Sequence, residues 1–394
     1  MTRIIIISPG HSPERSSRQP WAYIQGIADK LSECGHDVLI VGDGPKDVNE
    51  SERPASQIKF VDSVRSSSKI ERVADVFNPD ICLWSVGPPS SLYLSLTLPQ
   101  IADRMIAVIP GPLYTTKEIV SQLSINDIMY VSSYSHLVMS SIIPQQWFSC
   151  FLQHNFNQII VPTNTLVDKV SSNRLLRRNV FHIPHGVDTG ILATSSTQNK
   201  SFRENIPDPP DQSYILNFGP PRPIRGAQDF IKAILLLRDR GYNVTGVLLA
   251  RIDNKDDSTK LREINRHLSQ QGERDAFLLI DKHLSPIELK RFIQNAAAVA
   301  LPYRIVQSTV PVSILEALTL GCPVITTKIQ GAQELIPSPN WTVPPKDAGK
   351  LATALEPFLT DEKEGEDYLR GDDLASHLPS WTVSIEPLTN ELPL

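Results

Sequence analysis

Residues 296–336 read AAAVALPYRIVQSTVPVSILEALTLGCPVITTKIQGAQELI, and this stretch decides the fold. The apolar run Ala298–Leu301, closed by Pro302, predicts a buried parallel strand. Pro311 suits the first turn of a helix, where a missing N–H costs nothing. That helix carries Ile314, Leu315 and Leu318 at helical spacing and stops at Gly321. Val324–Thr327 then predicts a second buried strand. A helix N-terminus therefore opens at the carboxyl end of a parallel strand, where doubly wound sheets bind their ligands. The amides of Val312 and Ser313, with the helix dipole, favour a phosphate there. Glu316, one turn in, is placed to accept hydrogen bonds from a pair of ribose hydroxyls. The stretch asks for a nucleoside diphosphate; the competing reading makes Glu316 a solvated residue on a buried helix.

Upstream, Thr194–Gln212 has the composition of a linker. It separates a first domain over 1–193 from a second over 213–375. The second opens with strand Tyr214–Phe218, loop Gly219–Gly226, a helix to about Arg240 and strand Thr245–Ala250. Its loop, GPPRPIRG, is bounded by Gly219 and Gly226 and brings Arg222 and Arg225 to a strand's carboxyl end. Two guanidiniums in such a loop suit bidentate phosphate contact. Arg251 follows the next strand and is a further candidate for the nucleotide. The aspartates Asp256-Asp257 and Asp372-Asp373 read as solvated loops.

The first domain repeats the plan: strand Arg3–Ile7, a loop through Gly10 and His11, a helix from about Pro20 to Cys34, and strand Val38–Val41. Gly10, His11, Arg15 and Arg18 are candidates to face a phosphate or an acceptor, with a solvated basic loop as the equal alternative. Further strands are expected at Ile81–Trp84, Met105–Ile109, Gln158–Pro162 and Val180–Pro184. Residues 121–157 are rich in serine and aromatics, among them Tyr130, Tyr134, Trp147 and Phe148, and read as core packing before an acceptor-side wall. The three arginines of Arg174–Arg178 read as a solvated helix face. His182 and His185 fall on a strand and in the turn after it, which argues against a shared metal.

Composition removes other classes. A chain of 394 residues, 41% hydrophobic and 21% charged, is long enough for two globular cores. A net charge of −5 and a pI near 6.0 argue against nucleic acid as a partner. The four cysteines are widely spaced and read as small apolar fillers in a reducing compartment. No apolar run approaches the roughly 18 residues of a membrane span, and the opening strand is too short for a signal peptide. The expected location is the cytoplasm, with no transmembrane segment and peripheral membrane contact left open. The absence of Gly-x-Gly-x-x-G after a first strand sets aside a nicotinamide oxidoreductase.

The residues 301–325, LPYRIVQSTVPVSILEALTLGCPVI, resemble the signature of retaining glycosyltransferases of family 4, which have the GT-B fold of two facing Rossmann-like domains. Leu315, Glu316, Ala317, Gly321, Pro323 and Val324 match it. The resemblance implies transfer of a sugar from a nucleotide-sugar to a glycan, lipid-linked or small-molecule acceptor, without a cofactor or a metal. It implies ribose contact for Glu316. The family's first glutamate, which contacts the donor sugar, falls at Ser308, so Ser308 and Arg225 become the catalytic candidates. In the loop that relatives write Gly-Arg-x4-Lys-Gly, Arg225 holds the lysine position and Pro220 the arginine position, with Arg222 two residues on as a substitute. Pro110 stands where many relatives carry the cleft histidine. Ser380-Trp381 resembles the last helix of the fold, so that 376–394 crosses back onto the first domain, shortened by Pro387. The departures at Ser308, Pro110 and Pro220 keep a second class open: a GT-B-like nucleotide-binding or partner subunit that has lost catalysis.

Overall fold

The computed structural model describes residues 1–12, 15, 18–43, 57–61, 64, 67–94, 98–123, 127, 135–172, 179–187, 206–360 and 371–391. Tyr130, Tyr134, the arginines of 174–178, and most of the expected linker lie outside them.

A first sheet is built from β1 (Arg3–Ser8), β2 (Asp37–Asp43), β3 (Gln57–Val61), β4 (Ile81–Ser85), β5 (Arg104–Val108), β6 (Gln158–Val161) and β7 (Val180–His182). Its helices are α1 (Trp21–Glu33), α2 (Ser67–Phe77), α3 (Ser90–Tyr93), α4 (Thr116–Gln122), α5 (Ser135–Ile142), α6 (Gln145–Asn155) and α7 (Asn164–Ser171). The strand order is β3-β2-β1-β4-β5-β6-β7, with every pairing parallel. Parallel strands are covered on both faces, which is why they read as continuous apolar runs. The isoleucines of β1 divide accordingly: Ile5 and Ile7 join the core with Trp84 and Phe151, Ile4 and Ile6 the core with Tyr23 and Ile183.

The second sheet holds β8 (Tyr214–Phe218), β9 (Thr245–Leu249), β10 (Phe277–Ile280), β11 (Ala298–Leu301), β12 (Val324–Thr327) and β13 (Thr342–Val343). They lie in the order β10-β9-β8-β11-β12-β13, also parallel throughout. Around it are α8 (Ala227–Asp239), α9 (Lys255–Gln271), α10 (Pro286–Asn295), α11 (Val312–Thr319) and α12 (Ala348–Leu355). Their starts follow local chemistry: Ser285 and Glu288 form a reciprocal capping box, and Asn254 and Asp347 cap α9 and α12. In each sheet the strand order reverses once, between β1 and β4 and between β8 and β11. A crevice opens at such a reversal, and the loops leaving β8 and β11 flank it.

The two halves touch along one edge of these crevices. Leu113 and Gln330 exchange hydrogen bonds of 3.2 and 2.9 Å. Val306 N–H donates to the Tyr114 hydroxyl at 3.1 Å, and the Thr309 hydroxyl to the Pro110 carbonyl at 3.0 Å. Glu334 accepts from the amides of Asn164 and Thr165 at the start of α7, at 2.6 and 2.9 Å, where a carboxylate is favoured by the helix dipole.

After α13 (Asp372–Ser376), α14 (Trp381–Glu391) closes the chain against α1. Val187 pairs with Ser380 in a parallel bridge, and the Val187 N–H donates to the Pro379 carbonyl at 2.9 Å. Trp381 packs against the rings of Tyr23 and His185. The helix continues through Pro387 rather than stopping short of it.

Several sequence expectations are corrected. Asp257 is in the first turn of α9 and only 1% exposed, and Asp373 is in α13, so neither aspartate pair is a loop. Trp147 is exposed while its neighbour Phe148 is in the core. Cys82 and Cys322 are buried fillers, but Cys34 and Cys150 are exposed. No helix among the described residues is long and apolar enough to cross a membrane.

A Cβ placed on Gly26 would lie 2.1 Å from the indole of Trp381. On an open helix face, glycine to alanine adds stability. Here Gly26→Ala is expected to lower it by about 1–3 kcal/mol, the cost of overpacking. A urea midpoint equal to or above the parent's would mean that Trp381 does not sit on Gly26.

Candidate functional site

The loop after β8 is shaped by its two glycines. Gly219 has φ 112°, and a Cβ there would stand 2.5 Å from the Arg225 guanidinium. Gly226 has φ 74°, and its Cβ would stand 1.9 Å from the Pro302 carbonyl oxygen. Only glycine allows both the left-handed turn and this approach. Between them, Pro223–Arg225 forms one 3-10 turn that carries Arg225 across to the exit of β11.

There Arg225 Nη2 donates to the Phe218 carbonyl, the Tyr303 hydroxyl and Ser313 Oγ, at 3.0, 3.1 and 3.3 Å. The guanidinium lies over the Tyr303 ring, 4.9 Å from its centre, and the Tyr303 hydroxyl is 2.6 Å from Ser313 Oγ. All these acceptors are neutral, so no carboxylate is hydrogen-bonded to Arg225 at the start of α11. Pro311 is the N-cap of that helix, one residue before the expected first-turn position. Its carbonyl accepts from the amides of Ile314 and Leu315, so Val312 and Ser313 precede the first helical bond. Glu316 follows one turn in. Burial pushes its carboxyl up to about 7, against the opposing pull of Arg251 and Arg225.

The other arginines are placed differently. Arg222 donates to both carboxylate oxygens of the buried Asp257, at 2.9 and 3.1 Å, and to Asp253 at 3.3 Å. Its charge is thus met by two carboxylates from the start of α9 and the segment before it. Arg251 is bidentate on Asp253, at 3.0 and 3.1 Å, and remains 43% exposed. Ser308 lies in the loop between β11 and α11, and its Oγ is buried without a hydrogen-bond partner. Pro110 meets that loop through its carbonyl, at Thr309.

The other first-domain candidates, Gly10, His11, Arg15 and Arg18, have partners within their own domain. Gly10 N–H donates to Asp43 at 2.7 Å. His11 is 0% exposed, its backbone lies against Gly42, and its Nδ1 is 3.4 Å from Ser8 Oγ. The His11 side chain is thus enclosed within its own domain. Arg15 stacks on Trp21, and both Arg15 and Arg18 are exposed. His182 and His185 bond separate carbonyls, those of Pro162 and Gly186. Tyr303 was missed in the sequence; its position one residue beyond the proline that ends β11 was the available signal.

Residues 212–361 match the family model described as glycosyl transferases group 1. No curated protein matches the chain. Among solved structures, a glycosyltransferase from Rickettsia africae superposes with a TM-score of 0.68 at 14% identity, covering 99% of this chain and 97% of its own. Sucrose-phosphate synthase from Thermosynechococcus elongatus gives 0.69 at 14%, covering 99% and 98%. Anabaena HepE in complex with UDP and glucose gives 0.65 at 13%, covering 99% of each chain. The fold is GT-B, two facing Rossmann-like domains.

Glu316 makes stability depend on pH. With a folded value raised from 4.5 to about 7, the folded chain holds a proton that the unfolded chain has released in this window. Stability from this group is therefore lost as pH rises through it. Glu316→Gln is expected to narrow the difference in unfolding temperature between pH 5 and pH 8. An unchanged difference would show that the carboxylate is not buried as described.

Proposed function

Given a second domain of the group 1 glycosyltransferase family, we propose that this chain transfers a sugar from a nucleotide-sugar donor to a glycan, lipid or small-molecule acceptor, with retention at the anomeric carbon. The observation that carries the reading is Arg225, hydrogen-bonded to neutral oxygens and held at the N-terminus of α11 with Glu316 one turn behind. Arg225 and the amides of Val312 and Ser313 would hold the diphosphate, Glu316 would accept from the ribose hydroxyls, and Arg251 would approach the nucleotide from its exposed face. As the sugar–oxygen bond breaks, negative charge grows on the leaving diphosphate. A fixed guanidinium and helix end stabilise that charge without reorganising, which is the part a bound metal would otherwise perform.

Ser308 is proposed to line the sugar side of the cleft with Pro110. With serine in place of a carboxylate there, the leaving diphosphate oxygen is the base we assign to the acceptor hydroxyl. Retention follows, because the acceptor then attacks on the face that the leaving group departs. The exposed loop with Gly10, Arg15 and Arg18 is assigned to the acceptor side. The similarity to HepE in complex with UDP makes uridine diphosphate sugars the first donors to test. We place the protein in the cytoplasm, without nucleic acid as a partner. The same departures, Ser308, Pro110 and Pro220, favour a second reading, a nucleotide-binding subunit without transfer activity. Release of nucleoside diphosphate from UDP-, GDP-, ADP- or dTDP-sugars, with and without a crude acceptor extract, separates the two.

Arg225→Ala is expected to weaken nucleoside diphosphate binding by roughly ten- to a hundredfold, the worth of a charge-assisted contact. Nucleoside binding should change little. Equal losses for both, measured by calorimetry, would place this arginine away from the phosphates. Glu316→Gln keeps a good helix former and should cost about 1–2 kcal/mol with the ribonucleotide. The 2′,3′-dideoxy nucleotide should scarcely distinguish mutant from parent; equal loss with both ligands would make Glu316 a structural residue.

A further inference from the structure

Arg304 is a buried charge that the donor-site reading leaves without a task. Its side chain is 9% exposed. Nε and Nη2 clasp the two oxygens of Asp229 at 2.8 and 2.9 Å, and Nη1 reaches Asp127 of the first domain at 3.3 Å. Asp127 is itself buried.

The clasp sits on the loop that carries Arg225. The backbone amides of Arg304 and Ile305 both donate to the Ile224 carbonyl, at 2.8 and 3.1 Å. Ile224 immediately precedes Arg225, and Asp229 is in the first turn of α8, just beyond Gly226. Arg304 therefore grips the Arg225 turn at both ends, through its backbone on one side and its guanidinium on the other. Tyr303, the preceding residue, holds Arg225 by its ring and hydroxyl. Of the charges in this chain of contacts, Asp127 alone comes from the other domain.

We propose that Arg304 is a positioning residue through which Asp127 makes the shape of the Arg225 loop depend on closure of the two domains. The proposal rests on the reading of that loop as the diphosphate site. A buried guanidinium needs its hydrogen-bond partners, and losing Asp127 takes the partner of Nη1 while Asp229 still balances the charge. With the domains together, Asp127 and Asp229 pin the guanidinium between them and fix the turn. With the domains apart, Asp127 goes to water and Arg304 is left with Asp229 alone, free to follow α8. Lys346 supports the same seam, donating to the first-domain carbonyls of Ser121 and Leu123 at 2.7 and 3.4 Å.

The test uses the full chain with Asp127→Asn, which keeps the size of the side chain and the whole Arg304–Asp229 pair. Small-angle scattering without ligand should give a larger radius of gyration than the parent. Calorimetry should show UDP binding weakened by about tenfold, because less of the protein is in the closed state that binds. Uridine binding should change less, since the diphosphate loop is what the closure shapes. Asp127→Glu should recover most of the parent's UDP affinity, which a merely space-filling role would not require. If Asp127→Asn matches the parent in radius and in UDP affinity, the proposal is overturned. A parent that binds none of UDP, GDP, ADP or dTDP overturns the donor-site reading as well, and that failure is told apart by the parent's own titration.

Discussion

The backbone of Gly226 passes so close to the carbonyl of Pro302 that no side chain fits between them. This approach joins the loop leaving β8 to the loop leaving β11, two parallel strands that neighbour each other at the reversal of the second sheet. Everything at the candidate site is fixed by it. The 3-10 turn before Gly226 delivers Arg225, and the segment after Pro302 supplies Tyr303, Arg304 and the start of α11. A wider gap would leave Arg225 in solvent, where a guanidinium is hydrated and a phosphate contact is weaker.

The site places four arginines within one short region, and their neighbours give them different tasks. Arg222 is balanced by Asp257 and Asp253, Arg251 by Asp253 and water, and Arg304 by Asp229 and Asp127. Arg225 has only neutral oxygens and an aromatic face. Anion affinity depends on uncompensated charge, so the proposed phosphate contact falls on the arginine of these four whose hydrogen bonds all go to neutral oxygens. Glu316, raised by burial yet attracted by Arg225 and Arg251, is held where a small change in its surroundings changes its charge.

Most strands were legible in the sequence because strands buried on both faces must be continuous apolar runs, and Ile4–Ile7, Ile81–Trp84 and Ala298–Leu301 are such runs; β3, β10, β13 and the order within each sheet were not. The glycine-bounded loop and the helix after Pro311 were legible because turns and caps are written in local residues. Charge pairing was not. Asp257 lies 35 positions from Arg222, and Asp127 lies 177 positions from Arg304. No local pattern reports either meeting. The burial of His11 was illegible for a related reason: nothing local marks a histidine in a polar loop as covered.

The seat of Trp381 on Gly26 and Gly186 has a consequence for biosynthesis. The core that holds Ile4, Ile6, Tyr23 and Ile183 also needs Trp381, Ile385 and Leu388. The first sheet leaves the ribosome early with α1 on this face, but the part that α14 covers waits until the second domain has been made. A nascent chain therefore carries the apolar patch beneath Trp381, Ile385 and Leu388 exposed until α14 is made. Such faces invite association between incomplete chains.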